Sequence, residues 1–383
     1  MARTYLDHNA TMPLRAEARG AMLAAMDVLG NPSSIHAEGR AAKALIERAR
    51  SQIADAFDIG DADVVFTSGA TEAAALALAE YSDPQAGDGA PRRLVSSDIE
   101  HDCVRVWSKE LATHLQPNRS GQIDSVQAAK LAVAPDARAI LAVQAANSET
   151  GVLQSVEKFA GALDGTSPRP LLFTDAVQIA GKIPWSFEKS RADMAILSAH
   201  KMGGPKGIGA LILRRGIDLA AQIKGGGQEM GRRSGTENLI GIAGFGAAAA
   251  QSIRDLDDGL WDRVAELRKI LEKEVEARAR DTILVGKDAS RLPNTSCLMV
   301  PGWKGETQVM QMDLAGFAIS AGSACSSGKV KSSAALRALG FSDSEAGSAI
   351  RVSLAPETNE TQIFAFIEAW TKAQTRFRER QPA

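Results

Sequence analysis

From about residue 60 to residue 215, short apolar runs alternate with stretches whose apolar residues recur at helical spacing. That alternation predicts an α/β fold built on a parallel sheet. The predicted strands are Val64–Thr67, Arg93–Ser96, Ala139–Gln144, Pro170–Thr174, Ala195–Ser198 and Gly209–Leu213. Several run straight into polar residues: Ser68-Gly69-Ala70-Thr71, Asn147-Ser148-Glu149, Asp175 and His200-Lys201. Ligands of open α/β sheets sit beyond the carboxyl ends of the strands, so these residues gather where such a fold keeps its site. Further on, Leu260, Val264, Leu267, Leu271 and Val275 recur at spacings of three and four, which predicts an amphipathic helix over about 258–280. It leads into a second, smaller domain over about 260–383. This holds strand-like segments at Ser296–Val300 and Ala349–Leu354, a Gly/Ser-rich loop at Ser320–Gly328 and a helical pattern from Ile363 to Trp370.

Composition narrows the class more than it identifies it. At 383 residues, with 45% hydrophobic and 23% charged residues, the chain has enough apolar material for a sizeable core and two domains. A net charge of −2 gives no reason to expect nucleic acid or an anionic membrane as a partner. Cys103, Cys297 and Cys325 are odd in number and widely spaced, which argues against a disulfide framework or a zinc cluster and for a reducing compartment. No apolar run reaches the length of a membrane span, and the N-terminal segment has no signal-peptide core. The expectation is a cytoplasmic protein without a metal site.

The candidate chemistry centres on Ser198-Ala199-His200-Lys201-Met202-Gly203-Gly204. A lysine held at a strand end forms a Schiff base with a carbonyl when its pocket lowers its pKa, and pyridoxal phosphate (PLP) chemistry requires such a lysine. Thr67–Glu72 reads as strand, small-residue turn and helix start, whose free N–H groups suit a phosphate. Asp175 at a strand end can pair with a protonated ring nitrogen, and Gln178 lies three residues on. His101 follows another strand and titrates near neutrality. Arg351 is a single cation within an apolar strand pattern, suited to clamping a carboxylate. Cys325 sits among small polar residues, in a loop able to carry a reactive thiol. Cys297 lies in an apolar segment and reads as inert, while Cys103 is open to either reading.

Together these motifs resemble the cysteine desulfurases of the class V aminotransferase group, fold-type I PLP enzymes. The resemblance runs from Tyr5-Leu6-Asp7-His8-Asn9-Ala10-Thr11 through Asn31–His36, Phe66–Glu72, Asn147–Gly151, Asp175–Gln178 and Ser198–Lys201. It continues through Gly225–Asn238, Gly322–Cys325 and Ile350–Ser353. It implies a mainly parallel seven-stranded sheet in a large domain at 15–257. A smaller α+β domain would comprise 1–14 and 258–383 and carry the cysteine loop. By the same resemblance Lys201 holds PLP, while His101, Asp175 and Gln178 address its ring. Ala70, Thr71, Ser198 and His200 bind its phosphate, joined by Thr236 from the partner of a homodimer. Ser148 stands among the cofactor contacts, and Arg351, Asn147 and Asn9 hold L-cysteine. Cys325 takes the sulfur as a persulfide for a sulfur-acceptor protein, such as an iron–sulfur scaffold, or for thio-cofactor or tRNA thiolation.

The sequence departs from the family pattern at Ser148, where a second asparagine is usual, at His8, at Ala73-Ala74-Ala75 and at Lys329-Val330-Lys331. Two other readings use the same residues: a selenocysteine lyase or aminotransferase of this fold, and a non-catalytic scaffold. The cysteine loop argues against an aminotransferase. The joint presence of Lys201, Asp175, Cys325 and Arg351 argues against a scaffold.

Overall fold

The computed structural model describes residues 3–82, 92–108, 113–134, 137–322 and 332–380. Its largest sheet has seven strands: β1 (Ala62–Thr67), β2 (Arg92–Ser97), β3 (Thr113–Leu115), β4 (Arg138–Gln144), β5 (Leu171–Asp175), β6 (Met194–Ser198) and β7 (Gly209–Arg214). The spatial order is β1-β7-β6-β5-β4-β2-β3. Pairings from β3 across to β6 are parallel, whereas β7 runs antiparallel to both β6 and β1. The mainly parallel seven-stranded sheet expected of this fold is therefore present, with one reversed strand. Alternation along each strand sends side chains to two faces. Phe66, Leu141, Val143, Leu172 and Leu197 join one apolar cluster, and Val65, Ile140, Phe173, Ile196 and Leu211 join another. With both faces covered, the strands themselves carry little polar chemistry.

Helices at Ala16–Met26, Ala37–Ala56 and Leu239–Asp257 pack together on one side of this sheet. Ala42, Ile46, Ala49 and Ile53 form the buried stripe of the second. The third starts where the Asn238 side chain accepts a hydrogen bond from the Gly241 N–H at 3.0 Å.

A four-stranded sheet is built from β8 (Ile283–Leu284), β9 (Thr295–Met299), β10 (Ser320–Ala321) and β11 (Ala349–Ser353), in the order β10-β11-β9-β8, all antiparallel. Leu298, Ile350 and Val352 face a core shared with the Leu260–Arg278 and Glu360–Glu379 helices. Trp261, Val264, Leu267, Leu271 and Val275 are the buried face of the first helix, as the spacing predicts. The other face of the sheet, with Cys297, Met299 and Ala349, joins the core of the large sheet. The N-terminal strand Thr4–Tyr5 pairs in parallel with Phe317–Ala318, and Asp7 bridges to Ser353. This brings the N-terminal segment against β11 and places Asn9 and Ala10 over the carboxyl end of β6.

Candidate active site

The carboxyl ends of β1, β4, β5 and β6 open into a cavity of about 570 Å³. Its wall brings together Asn9, Ala70, Thr71, His101, Ser148, Asp175, Gln178, Ser198, His200, Lys201 and Arg351, eleven of the candidates read from the sequence. Cys325 lies outside the described residues.

Lys201 ends a short turn after β6, and its Nζ donates to the carbonyls of Asn9 at 2.6 Å and Ala10 at 2.9 Å. Asp175 is the last residue of β5, with Oδ1 accepting from the Val177 N–H at 2.9 Å. Burial pushes its carboxyl up, opposed by His101, the Val177 N–H and Lys201. His101 caps a short helix, its Nδ1 accepting from the Cys103 N–H at 3.2 Å. An accepting Nδ1 leaves the proton of the neutral ring on Nε2. Cys103 also lines the cavity, its thiol pushed up by burial.

The same cavity is lined by Gly69, Ala70 and Thr71, where the Ala70–Ser82 helix begins. Its first N–H groups have no acceptor within the helix, and its dipole favours an anion. The crossing is tight: a Cβ at Gly209, the first residue of β7, would lie 2.6 Å from the Gly69 carbonyl carbon. His200 is pushed down to about 4 by burial and by Lys201, Lys206 and Lys182. Among the described residues its Nδ1 is buried without a hydrogen-bond partner, as is Thr11 Oγ1. An anion accepting hydrogen bonds would fit this corner, and a primary amine lies close by. The donor set therefore suits a phosphorylated aldehyde such as PLP.

Arg351 is the middle residue of β11 and is buried. Its Nη2 pairs with Asp7 Oδ1 at 2.7 Å and its Nη1 donates to the Ser148 carbonyl at 3.0 Å. Nε is buried without a hydrogen-bond partner among the described residues. Guanidinium offers five N–H groups, so donors remain for a carboxylate. The Ser148 contact uses backbone, so it persists whichever side chain stands there.

Asn147 and Asn9 are arranged differently from the substrate contacts the resemblance implies. Asn147 is not part of the cavity wall; its Oδ1 accepts from Glu149 N, Thr150 N and Thr150 Oγ1, and its Nδ2 donates to the Ile99 carbonyl. Its amide shapes the turn that presents Ser148. Asn9 faces the cavity through its carbonyl, while its amide bonds Thr295, Ser148, Asn294 and Lys182. Thr236 lines a smaller cavity of about 210 Å³ that shares Ser68 and Gly207 with the main one.

Sequence reasoning misses three groups at this site. Asp7 belongs to the N-terminal motif, but its pairing with Arg351 spans 344 positions. Glu100 is fully enclosed, with Oε1 accepting from Gln144 N at 2.6 Å and Oε2 unpartnered. Burial and the neighbouring Asp175 charge push its carboxyl well above the usual range. Lys182 is buried beneath Gln178. The available signal was its place as the lone charge within Ala176–Phe187.

The Aminotransferase class-V family model matches residues 4–366. A cysteine desulfurase of Cereibacter sphaeroides is 38% identical over 377 residues, covering 96% of this chain and 95% of that protein. The crystal structure of a NifS-like protein from Rickettsia africae superposes with a TM-score of 0.88 at 31% identity, over 97% of this chain and 99% of its own. The structure of SspA in complex with cysteine gives a TM-score of 0.76 at 28% identity, over 93% of this chain and 100% of its own. With a family model spanning nearly its full length and relatives of this identity, the chain belongs to the class V aminotransferase family, among proteins named as cysteine desulfurases.

Proposed function

We propose that the protein is a PLP-dependent cysteine desulfurase that converts L-cysteine to L-alanine and passes the sulfur to an acceptor protein. The observation that carries this reading is one cavity holding Lys201, Asp175, His101 and Arg351 together. Bound there, PLP supplies an electron sink for the charge left when the Cα proton of an amino acid is removed.

Lys201 holds the cofactor through its amine, and the same amine, once freed, takes the Cα proton. Asp175 would pair with the ring nitrogen, Gln178 would donate to the ring's phenolic oxygen, and His101 would address the ring and move protons through Nε2. Ala70, Thr71, Ser198 and His200 hold the phosphate. Thr236 reaches the phosphate of a second copy in a homodimer, a role compatible with its place outside the main cavity. Arg351 clamps the substrate carboxylate, which favours an amino acid over a neutral analogue. The Cys325 thiolate attacks the substrate sulfur: the S–S bond forms, the C–S bond breaks with its electron pair kept by Cβ, which takes up a proton, and Cys325 carries a persulfide. L-Alanine leaves, and the persulfide sulfur serves iron–sulfur assembly or thiolation of a cofactor or tRNA. The related SspA structure is a complex with cysteine, which supports cysteine as substrate here.

The test is incubation of the PLP-reconstituted protein with L-cysteine and a reductant, with alanine and sulfide quantified together. Equal amounts of both are expected, with loss of both in Cys325→Ala. A variant making alanine and sulfide at the parental rate would remove Cys325 from the mechanism. A protein that stays colourless after reconstitution would remove PLP.

A further inference from the structure

Lys182 is 1% exposed, and among the described residues no carboxylate lies within ion-pair distance. Its Nζ instead donates to two neutral oxygens, Gln178 Oε1 at 2.8 Å and Asn9 Oδ1 at 3.2 Å. Burying an amine with no countercharge is costly, and an apolar side chain of similar shape would be cheaper for the fold. Its neighbours suggest what it does. A lysine amine can donate in either protonation state, and here it donates to the Gln178 oxygen. The Gln178 amide nitrogen then points the other way, donating to the Asn9 carbonyl at 3.1 Å and keeping its second N–H for the cavity. That same Asn9 carbonyl seats Lys201 Nζ at 2.6 Å.

We propose that Lys182 is a positioning residue that fixes the amide of Gln178 with its N–H side toward the cofactor cavity and steadies the Asn9 carbonyl that seats Lys201. The inference rests on the PLP reading above and adds a residue that never touches the cavity itself. Removing the amine leaves Gln178 Oε1 without the donor it has here and leaves the Asn9 carbonyl alone to hold the amide's direction, so the N–H toward the cavity is less firmly fixed.

The experiment measures PLP affinity and the visible absorption spectrum of the reconstituted full-length protein for the parent, Lys182→Met, Lys182→Gln, Gln178→Ala and the Lys182→Met/Gln178→Ala double variant. Lys182→Met is expected to bind PLP about tenfold more weakly, the size of one lost hydrogen bond to a charged group, with a displaced absorption maximum. Lys182→Gln, which keeps an N–H donor, recovers part of the loss and carries the test if the methionine variant does not fold. In the Gln178→Ala background, Lys182→Met has a smaller effect than in the parent, because only its contact with Asn9 is left to lose. Parental affinity and spectrum in both single Lys182 variants overturn the inference, as does simple additivity with Gln178→Ala. A parent that binds no PLP overturns the functional reading and this inference with it. A coloured parent beside indistinguishable variants overturns this inference alone.

Discussion

In the seven-stranded sheet the candidate residues sit at or just past strand ends, whereas the four-stranded sheet projects Arg351 from the middle of β11. The contrast follows from how each sheet is covered. Strands β4, β5 and β6 are buried on both faces, so a polar side chain in their interior would have no partner. Chemistry there is displaced to the loops. The four-stranded sheet is antiparallel, and its two faces differ: Ile350 and Val352 enter an apolar core, while Arg351 turns toward Asp7 and Ser148. The candidate cation Arg351 is therefore also part of the fold. Loop residues of the first sheet should tolerate substitution structurally and lose chemistry, and Arg351 should lose both.

The largest effect expected is for Lys201→Ala, which removes the amine while leaving β6 and β7 paired. Desulfuration should fall by about 10⁴-fold or more, with a melting temperature near that of the parent; a marked drop in melting temperature would erase the contrast. Next comes Arg351→Ala, which strands Asp7 among buried groups. We expect about 3 kcal/mol lost in denaturant unfolding together with a raised KM for L-cysteine. A variant with raised KM and parental stability would make Arg351 a loop-like residue after all.

Glu149 probes the seam between the two sheets. A Cβ at Gly322 would lie 3.0 Å from its Oε2, which is buried and has no hydrogen-bond partner among the described residues. Burial pushes its carboxyl up to about 7, with Asp102 adding to the rise while Ser333, Arg351 and His101 oppose it. The folded state thus keeps a proton that the unfolded chain releases near 4.5. The stability this contributes is complete below that value and is lost as pH rises through 7. Glu149→Gln should flatten the fall in melting temperature between pH 5 and 8; an unchanged slope would show that the seam does not titrate. The smallest effect belongs to Ser148→Asn. Because Arg351 uses the carbonyl at this position, KM should move by no more than about threefold, as steady-state kinetics would show.

Patterning made the interior of the molecule legible and left its long-range pairings hidden. Six predicted strands match β1, β2, β4, β5, β6 and β7 to within two residues, because a buried strand must be an apolar run. The edge strand β3 escaped notice because three residues carry too little pattern. Reversal of β7 left no trace in composition, since a strand covered on both faces reads the same in either direction. The last helix spans Glu360–Glu379, well beyond the expected Ile363–Trp370, because its final turns carry polar residues on exposed faces. At the site, Lys201, Asp175, His101 and Arg351 gained meaning only together, and the cavity wall holds all four. Asp7 and Lys182 were not legible as partners, because their roles depend on contacts that only folding creates. Asn147 looked available and is turned into its own loop.

The reversed strand β7 bears on Lys201 in one further respect. Ser198 at the end of β6 is the register partner of Gly209 at the start of β7, so residues 199–208 leave and re-enter the sheet at adjacent positions. A parallel neighbour would have required a long crossover, with the lysine on one arm of a wide arch. Here it rides on a closed loop whose two feet are held by the same ladder. The backbone beneath the amine is therefore clamped from both sides, and Lys201 can let go of one partner and take another by rotating its side chain alone.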